Sequence, residues 1–574
     1  MFGRGQNVQN RMRIDGQPEG LLIQDYVPLA ESLDWKSGQQ FWQESGSRAF
    51  LGEIVPFKIT NDGNLSQKAA KVVFTQLLET DQQGRLEASI RVLELGVGIG
   101  LFARYFLDAF RSLCLAQEKD YYERLIYIAT DWSEQMLEDL RRNEVLAPHD
   151  GHFKIQSADA LLPEFGLTRV GEQFSQSQAR CHAIFLNYLL DSLPAAIVRM
   201  QGETLEQLYL RPRVPREHSN RAVSNNPAGE SVLDFEYRPV GPDAIPYADL
   251  AVQFVEQVGG CVVHNYGAMQ CLDHAKSLLQ EEGLILISDY GDPLFDEASQ
   301  TYRHQRFGGA AVIGVNIPLL KFYCQQRTSY EWLEPSEENP HICVRLIGHD
   351  IAPATQTVFR DQFSREAFRW LYEPFHVART WARERRVEAA RSSFQEALRR
   401  QPRNWALMGE FAAFLTGPLQ EHQLGLDMAE AGLAINPMSP DLWNTHGDCL
   451  FYSDRLAEAH HSYARAIQLN PDDVRACYNL SFTYDLRNDP TTALRVIAEG
   501  LAKDTQGKYR ERLLHQQSAI LSRLDHQSDR QEDVPSAQIQ GDEEPWKGSL
   551  TEEEIVHLTG TRSHNALLDS PKEE

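Results

Sequence analysis

Several things are scarce in this chain of 574 residues, and each scarcity excludes something. It has eight cysteines with no CxxC and no paired spacing, so a disulfide-stapled secreted scaffold is excluded and a structural zinc site has no ligand pattern. Reduced, mostly buried thiols of a cytoplasmic protein are the expectation. Long apolar runs are lacking too. The longest nearly uncharged stretch, around Gly308–Leu320, is shorter than the roughly 20 residues a membrane helix needs, and it carries Asn316 and Pro318, so no membrane span is expected. The opening residues MFGRGQNVQNRMRIDG hold arginines with no apolar segment behind them, which argues against a secretory signal. Positive charge is in deficit: 56 Lys and Arg stand against 81 Asp and Glu, a net charge of −25 that disfavours nucleic acid or an anionic membrane as the main partner. No Ser/His/Asp arrangement, phosphate loop or metal-ligand cluster appears either.

What is present is ordered along the chain. Between Arg91 and Asp292, short aliphatic runs alternate with longer amphipathic ones, the pattern of parallel strands and crossover helices. Arg91–Leu95, Leu125–Thr130, His182–Asn187 and Leu284–Asp289 each close on a polar or glycine position, so ligands are expected at their C-terminal ends. Residues 1–84 are expected to form a helical cap. The stretch 211–247, rich in Pro, Asn, Ser and Arg, is expected to be an inserted loop.

From about Glu366 the patterning is continuously helical and repetitive. Gln401-Pro402, Asn436-Pro437 and Asn470-Pro471 recur 35 and 34 residues apart. Trp443, Gly447, Ala459, Tyr463, Ala466 and Pro471 fall where a pair of antiparallel helices needs a large anchor, a close approach, small residues at the crossing and a stop. Leu480, Tyr484 and Ala493 repeat that pattern downstream; Ala390, Phe394, Ala397 and Pro402 repeat it upstream. After residue 528, twelve acids against four basic residues leave an acidic tail, 529–574, expected to be disordered.

The chemistry concentrates in Val92-Leu93-Glu94-Leu95-Gly96-Val97-Gly98-Ile99-Gly100, a strand that runs into three alternate glycines and then a helix over Leu101–Leu115. Such glycines let the chain turn tightly and let a ligand lie on the backbone beside the positive end of the helix. The spacing is GxGxG, not the GxGxxG of dinucleotide sites, and Glu94 stands two residues before the first glycine. An anionic group there suits a cationic ligand and repels a pyrophosphate. The second strand ends at Asp131, followed by Ser133; the third, near Ile155, ends at Asp159 and Ala160. An acid at the end of the second strand is placed to accept two ribose hydroxyls, and one at the end of the third to accept an amino group.

These residues resemble those of class I S-adenosylmethionine-dependent methyltransferases over roughly residues 85–295. The resemblance implies a Rossmann-like α/β domain over 85–365 with S-adenosylmethionine held by Glu94, Gly96, Gly98, Gly100, Asp131, Ser133, Asp159 and Ala160. Asn187-Tyr188-Leu189-Leu190-Asp191-Ser192-Leu193-Pro194 further resembles a segment of the MidA-like methyltransferases, as does the strand end Asp289-Tyr290-Gly291. At the end of the fourth strand Asn187 and Asp191 are expected to face the methyl position, with Asp289, Tyr290 and, as a further candidate, His304 to hold the acceptor or take up its proton; a helix is expected from about Leu193. Where that family carries Glu after the Asn, this chain has Tyr188. The repeats over 366–528 resemble the tetratricopeptide family, which implies an all-α solenoid that recruits a protein partner. The expected activity is therefore methyl transfer to an acceptor, foremost a protein side chain. The competing reading is a repeat scaffold with a catalytically inactive methyltransferase-like domain.

Overall fold

The computed structural model describes residues 21–51, 61–162, 180–214, 232–241, 243–294, 304–307, 309–338 and 342–528. The aliphatic runs become strands of one seven-stranded sheet: β1 (Ile90–Leu95), β2 (Leu125–Asp131), β3 (Phe153–Ser157), β4 (Cys181–Asn187), β5 (Leu279–Asp289), β6 (Glu331–Leu333) and β7 (Cys343–Gly348). Their order is β6-β7-β5-β4-β1-β2-β3, parallel from β5 to β3, with β7 antiparallel to both its neighbours. The strand order reverses between β1 and β4. In an open parallel sheet that reversal splays the outgoing connections and leaves a crevice at the C-terminal ends.

Alternation along β1 explains how it is buried on both faces. Leu93 and Leu95 join Ile184, Leu186, Ile285 and Ile287 in a core that also takes Ala251 and Leu272 from the helices Ala248–Val258 and Tyr266–Ser277. Val92 and Glu94 face the opposite side, where Phe102 and Phe106 of the helix Leu101–Ala116 pack on Phe185 with ring centroids 5.0 and 5.1 Å apart. Each fully buried aromatic or aliphatic side chain there is worth about 1.5–3 kcal/mol.

A second, antiparallel sheet corrects the expectation of a loop over 211–247. Thr204–Val214 pairs with Val232–Pro239 over eight registered residues, from Glu206↔Pro239 to Arg213↔Val232. Only 215–231 and 242 lie outside the described residues. The Pro- and Arg-rich composition hid a period of two: Leu208, Leu210 and Pro212 are buried, while Arg211 and Arg213 turn outward and both donate to Asp234 across the ladder, at 2.9 and 2.7 Å. The helix expected from Leu193 is likewise a strand, Ala196–Gln201, paired with both Thr204–Val214 and Cys261–His264. Pro194 and the β-branched Ile197 and Val198 favour extended backbone.

The described residues divide into two compact units: those of 63–370 with most of the described residues before them, and 371–528 together with 50, 51, 61 and 62. Trp405 donates its indole N–H to the Asn61 carbonyl at 2.8 Å and Tyr372 donates to Asp62. Within the helical unit, helices follow one another from Val387–Arg400 to Arg510–Ser528, each packed on the next. Gln401, Asn436 and Asn470 are the C-caps of three of them. Each precedes a proline, which disfavours helical backbone at that residue. Gly447 shows why a small residue is needed at the crossing: a Cβ there would stand 2.5 Å from the Tyr463 ring. Among the described residues no helix is long and apolar enough to cross a membrane.

Candidate functional site

The C-terminal ends of β1, β2, β4 and β5 bring most of the expected residues to one edge of the sheet. β1 and β2 end in register, Leu95 opposite Thr130, and the turn that follows is closed by Val97 N–H donating to the Thr130 carbonyl at 2.8 Å. Gly96, Gly98 and Gly100 take φ of 74°, 54° and 78°, the left-handed region that side chains resist. At Gly100 space is a second constraint, since a Cβ would come within 2.4 Å of Leu140. Gly100 also caps the helix Leu101–Ala116, so its unpaired N–H groups face the turn.

Two acids are tied into this turn. Asp131 accepts from Gly98 N–H at 3.2 Å and Ser133 N–H at 3.0 Å, bridging the glycine turn to the next helix. Burial outweighs those amides and holds its carboxyl above the usual range. Glu94 is almost wholly buried and accepts from the Tyr127 hydroxyl at 2.8 Å and from the Asn187 side-chain amide at 3.2 Å. Burial pushes its carboxyl up to about 8, against the lowering effect of both donors. Burial thus favours the neutral form of Glu94, whereas the sequence alone points to a standing negative charge.

Two more acids stand at the ends of β4 and β5. Asp289 takes Leu189 and Leu190 N–H on one oxygen, at 3.1 and 2.7 Å, and Tyr290 N–H on the other, at 2.7 Å. It anchors the turn that carries Tyr188 and Asp191. Asp191 is buried in that turn, and both carboxyls are held above the usual range, by burial first and, for Asp191, by the neighbouring acid as well. Tyr188 has φ of 53°, and its ring lies against Tyr290 with centroids 5.2 Å apart. Asn187 Oδ1 and Ser288 Oγ are buried with no hydrogen-bond partner among the described residues.

The remaining expected residues are placed differently. Ser133 caps the helix Glu134–Arg142, accepting from Met136 N–H at 3.3 Å, and its hydroxyl donates to the Gln43 carbonyl. Asp159 and Ala160 lie beyond β3, where Asp159 accepts from Leu161 N–H at 2.8 Å and makes no hydrogen bond to the other candidates. His304 falls in the strand His304–Phe307, and its side chain lies outside the described residues. Sequence reasoning missed Tyr127, the donor that holds Glu94. Its position in β2 on the same sheet face as Glu94 was the available signal.

Residues 70–309 match the model of a family described as "Putative S-adenosyl-L-methionine-dependent methyltransferase". This region is an S-adenosylmethionine-dependent methyltransferase domain. S-adenosylmethionine is its cofactor. The residues of the methyltransferase domain fit that group, which is positively charged at sulfur and at its amino group. Four buried carboxyls meet no Lys or Arg among the described residues, beside a glycine turn whose backbone takes the left-handed conformation.

Among solved structures, a protein from Burkholderia thailandensis is 14% identical, with 59% of this chain and 90% of that one covered and a TM-score of 0.38. A member of the same superfamily from that organism, bound to S-adenosyl-homocysteine, is 13% identical over 54% of this chain and 81% of that one, TM-score 0.32. MamA from Desulfovibrio magneticus is 16% identical over 27% of this chain and 88% of that one, TM-score 0.23. Among curated proteins, the peroxisomal targeting signal receptors of Candida glabrata and Saccharomyces cerevisiae are each 45% identical over 56 residues. The chain thus spans about a tenth of the length of the curated relatives it matches.

Proposed function

We propose that the whole chain transfers a methyl group from S-adenosylmethionine to a protein side chain, and that the helical unit, read as tetratricopeptide repeats, recruits the protein that carries it. One observation carries this reading: Glu94, Asp131, Asp191 and Asp289 are buried at the ends of adjacent strands with no basic side chain to neutralise them. Isolated buried carboxyls are costly unless something positive joins them. Glu94 and the amides of the glycine turn hold the amino-acid end of the cofactor, Asp131 its ribose and Asp159 with Ala160 its base. Bound there, the cofactor supplies an electrophilic methyl group. Asn187 and Asp191 orient the acceptor, and Asp289 and Tyr290 keep their turn in place. Positioning in line and exclusion of water give most of the acceleration in such a displacement. The segments Asn187–Pro194 and Gly283–Gly291 support a MidA-like member of the class. Eight free cysteines, seven of them buried, support a reducing compartment such as the cytoplasm.

Tyr188 favours a second reading, a repeat scaffold with an inactive domain, because an aromatic ring stands where a carboxylate would be expected. Calorimetric titration of the full chain with S-adenosylmethionine separates the two. Micromolar binding that is lost in Gly98→Val, at a turn position with φ of 54°, supports the enzyme. Absence of binding at millimolar ligand leaves the scaffold.

A further inference from the structure

Resting on the methyl-transfer reading, we infer that the acceptor is a side-chain amine that arrives as an ammonium, held by Asn187 and Asp191 against the Tyr188 and Tyr290 rings, and that Tyr188 selects it. The two segments that form this end of the site, LNYLLDSLP over 186–194 and LISDYGD over 286–292, contain no Lys, Arg or His. They offer hydrogen-bond acceptors, hydroxyls and aromatic faces, so what enters must bring the N–H donors and the positive charge.

The groups still available narrow the choice. Asn187 spends its amide N–H on Glu94, which leaves its buried Oδ1 as an acceptor with no partner among the described residues. Asp289 has both oxygens occupied by backbone N–H groups, so it holds the turn and does not reach outward. Asp191 is the carboxyl left, buried in the same turn. A guanidinium keeps its protons at any ordinary pH and is best met by a bidentate carboxylate fork. An ammonium must lose a proton before its nitrogen has a lone pair, and a carboxyl whose burial and acidic neighbour Asp289 favour its protonated form is suited to take it.

The step balances. The ammonium gives one of its protons to the Asp191 carboxylate. The freed lone pair forms the C–N bond as the C–S bond breaks, and the sulfonium becomes a neutral thioether. Asp191 returns the proton to water when product leaves.

Tyr188 is the selecting element. A left-handed backbone strains a non-glycine residue, and Gly would fill the position without strain. The conformation is enforced by Tyr188 N–H donating to the Ser288 carbonyl at 2.8 Å and by the Asp289 clamp on the next two amides. What Tyr adds over Gly is a ring, set beside Tyr290. Paired aromatic faces next to a single carboxyl attract a compact cation.

The test uses the full chain, tritiated S-adenosylmethionine and heat-treated lysate proteins as the acceptor pool, followed by acid hydrolysis and amino-acid chromatography. Label in methyl-lysine is the expected result. Label in methyl-arginine or in an acid-labile ester overturns the amine acceptor while leaving methyl transfer standing; no labelled protein at all removes the transfer reading and this inference with it. Tyr188→Gly should raise the apparent KM for the labelled pool about tenfold, with S-adenosylmethionine affinity and Tm undiminished. Tyr188→Phe should restore KM to within about twofold. An unchanged KM in Tyr188→Gly, or a fall in Tm with no change in KM, shows that Tyr188 is a structural residue and overturns its selecting role.

Discussion

Glu410 and Asp448 of the helical unit are compensated in a way that the four buried acids at the strand ends of the other unit are not. In the helical unit, Glu410 meets Arg379 through two hydrogen bonds of 2.9 and 2.7 Å, and Asp448 meets Arg475 at 2.6 Å, with Tyr463 and Asn479 donating to its other oxygen. Charge and hydrogen bonding are closed within the protein, and the pairs fix how neighbouring helices dock. In the methyltransferase domain, Glu94, Asp131, Asp191 and Asp289 are met by amides, a tyrosine and an asparagine, and no cation balances them. The two compensated acids mark architecture; the four uncompensated acids gathered at adjacent strand ends mark the place where a positive ligand completes the structure.

Substitutions should expose that contrast, and the largest effect belongs to the compensated side. Arg379→Ala strands Glu410 in a dry interface and should destabilise the helical unit by about 3–5 kcal/mol, read as an earlier denaturant transition. A cost below about 1 kcal/mol would mean the pair is solvated and the contrast false. On the other side, Asp191→Asn should lower kcat about a hundredfold while Tm at pH 8 stays level or rises, because a carboxyl that resists ionisation has been removed. Loss of stability matching the loss of activity would make Asp191 architectural as well.

Gly100→Ala combines a left-handed backbone with the Leu140 contact and should cost about 2 kcal/mol by thermal denaturation, together with weaker cofactor binding. The smallest effect is a slope. Because the folded-state carboxyl of Glu94 sits at about 8, above its unfolded value, its contribution to stability is present at acid pH and is lost as pH rises toward 8. Glu94→Gln should flatten that decline in the ligand-free protein; an unaltered slope between pH 5 and 8 would show that Glu94 is ionised throughout.

The parallel strands were legible because each is an aliphatic run closed by a polar residue, and the glycine turn because three alternate glycines have few other uses. The helix pairs were legible through Gly447, Ala459 and Ala466, small residues that only a close crossing requires. The second sheet was not. Pro212, Arg211 and Arg213 read as loop chemistry, and only the partners Asp234 and Tyr26, distant in sequence, turn those arginines into the outer face of a strand. The roles of the acids were half legible. Position gave Glu94 and Asp289 as candidates, but the protonation of one and the backbone clamp of the other depend on burial and on amides that no local pattern encodes.

The central claim is that the uncompensated acids of the methyltransferase domain await a cation. Titrating the full chain with S-adenosylmethionine at pH 7, in buffers of different ionisation enthalpy, tests it directly. Binding accompanied by release of close to one proton, and by none in Glu94→Gln, is the result this account predicts. Binding with no proton exchange, or no binding at millimolar ligand, would contradict it.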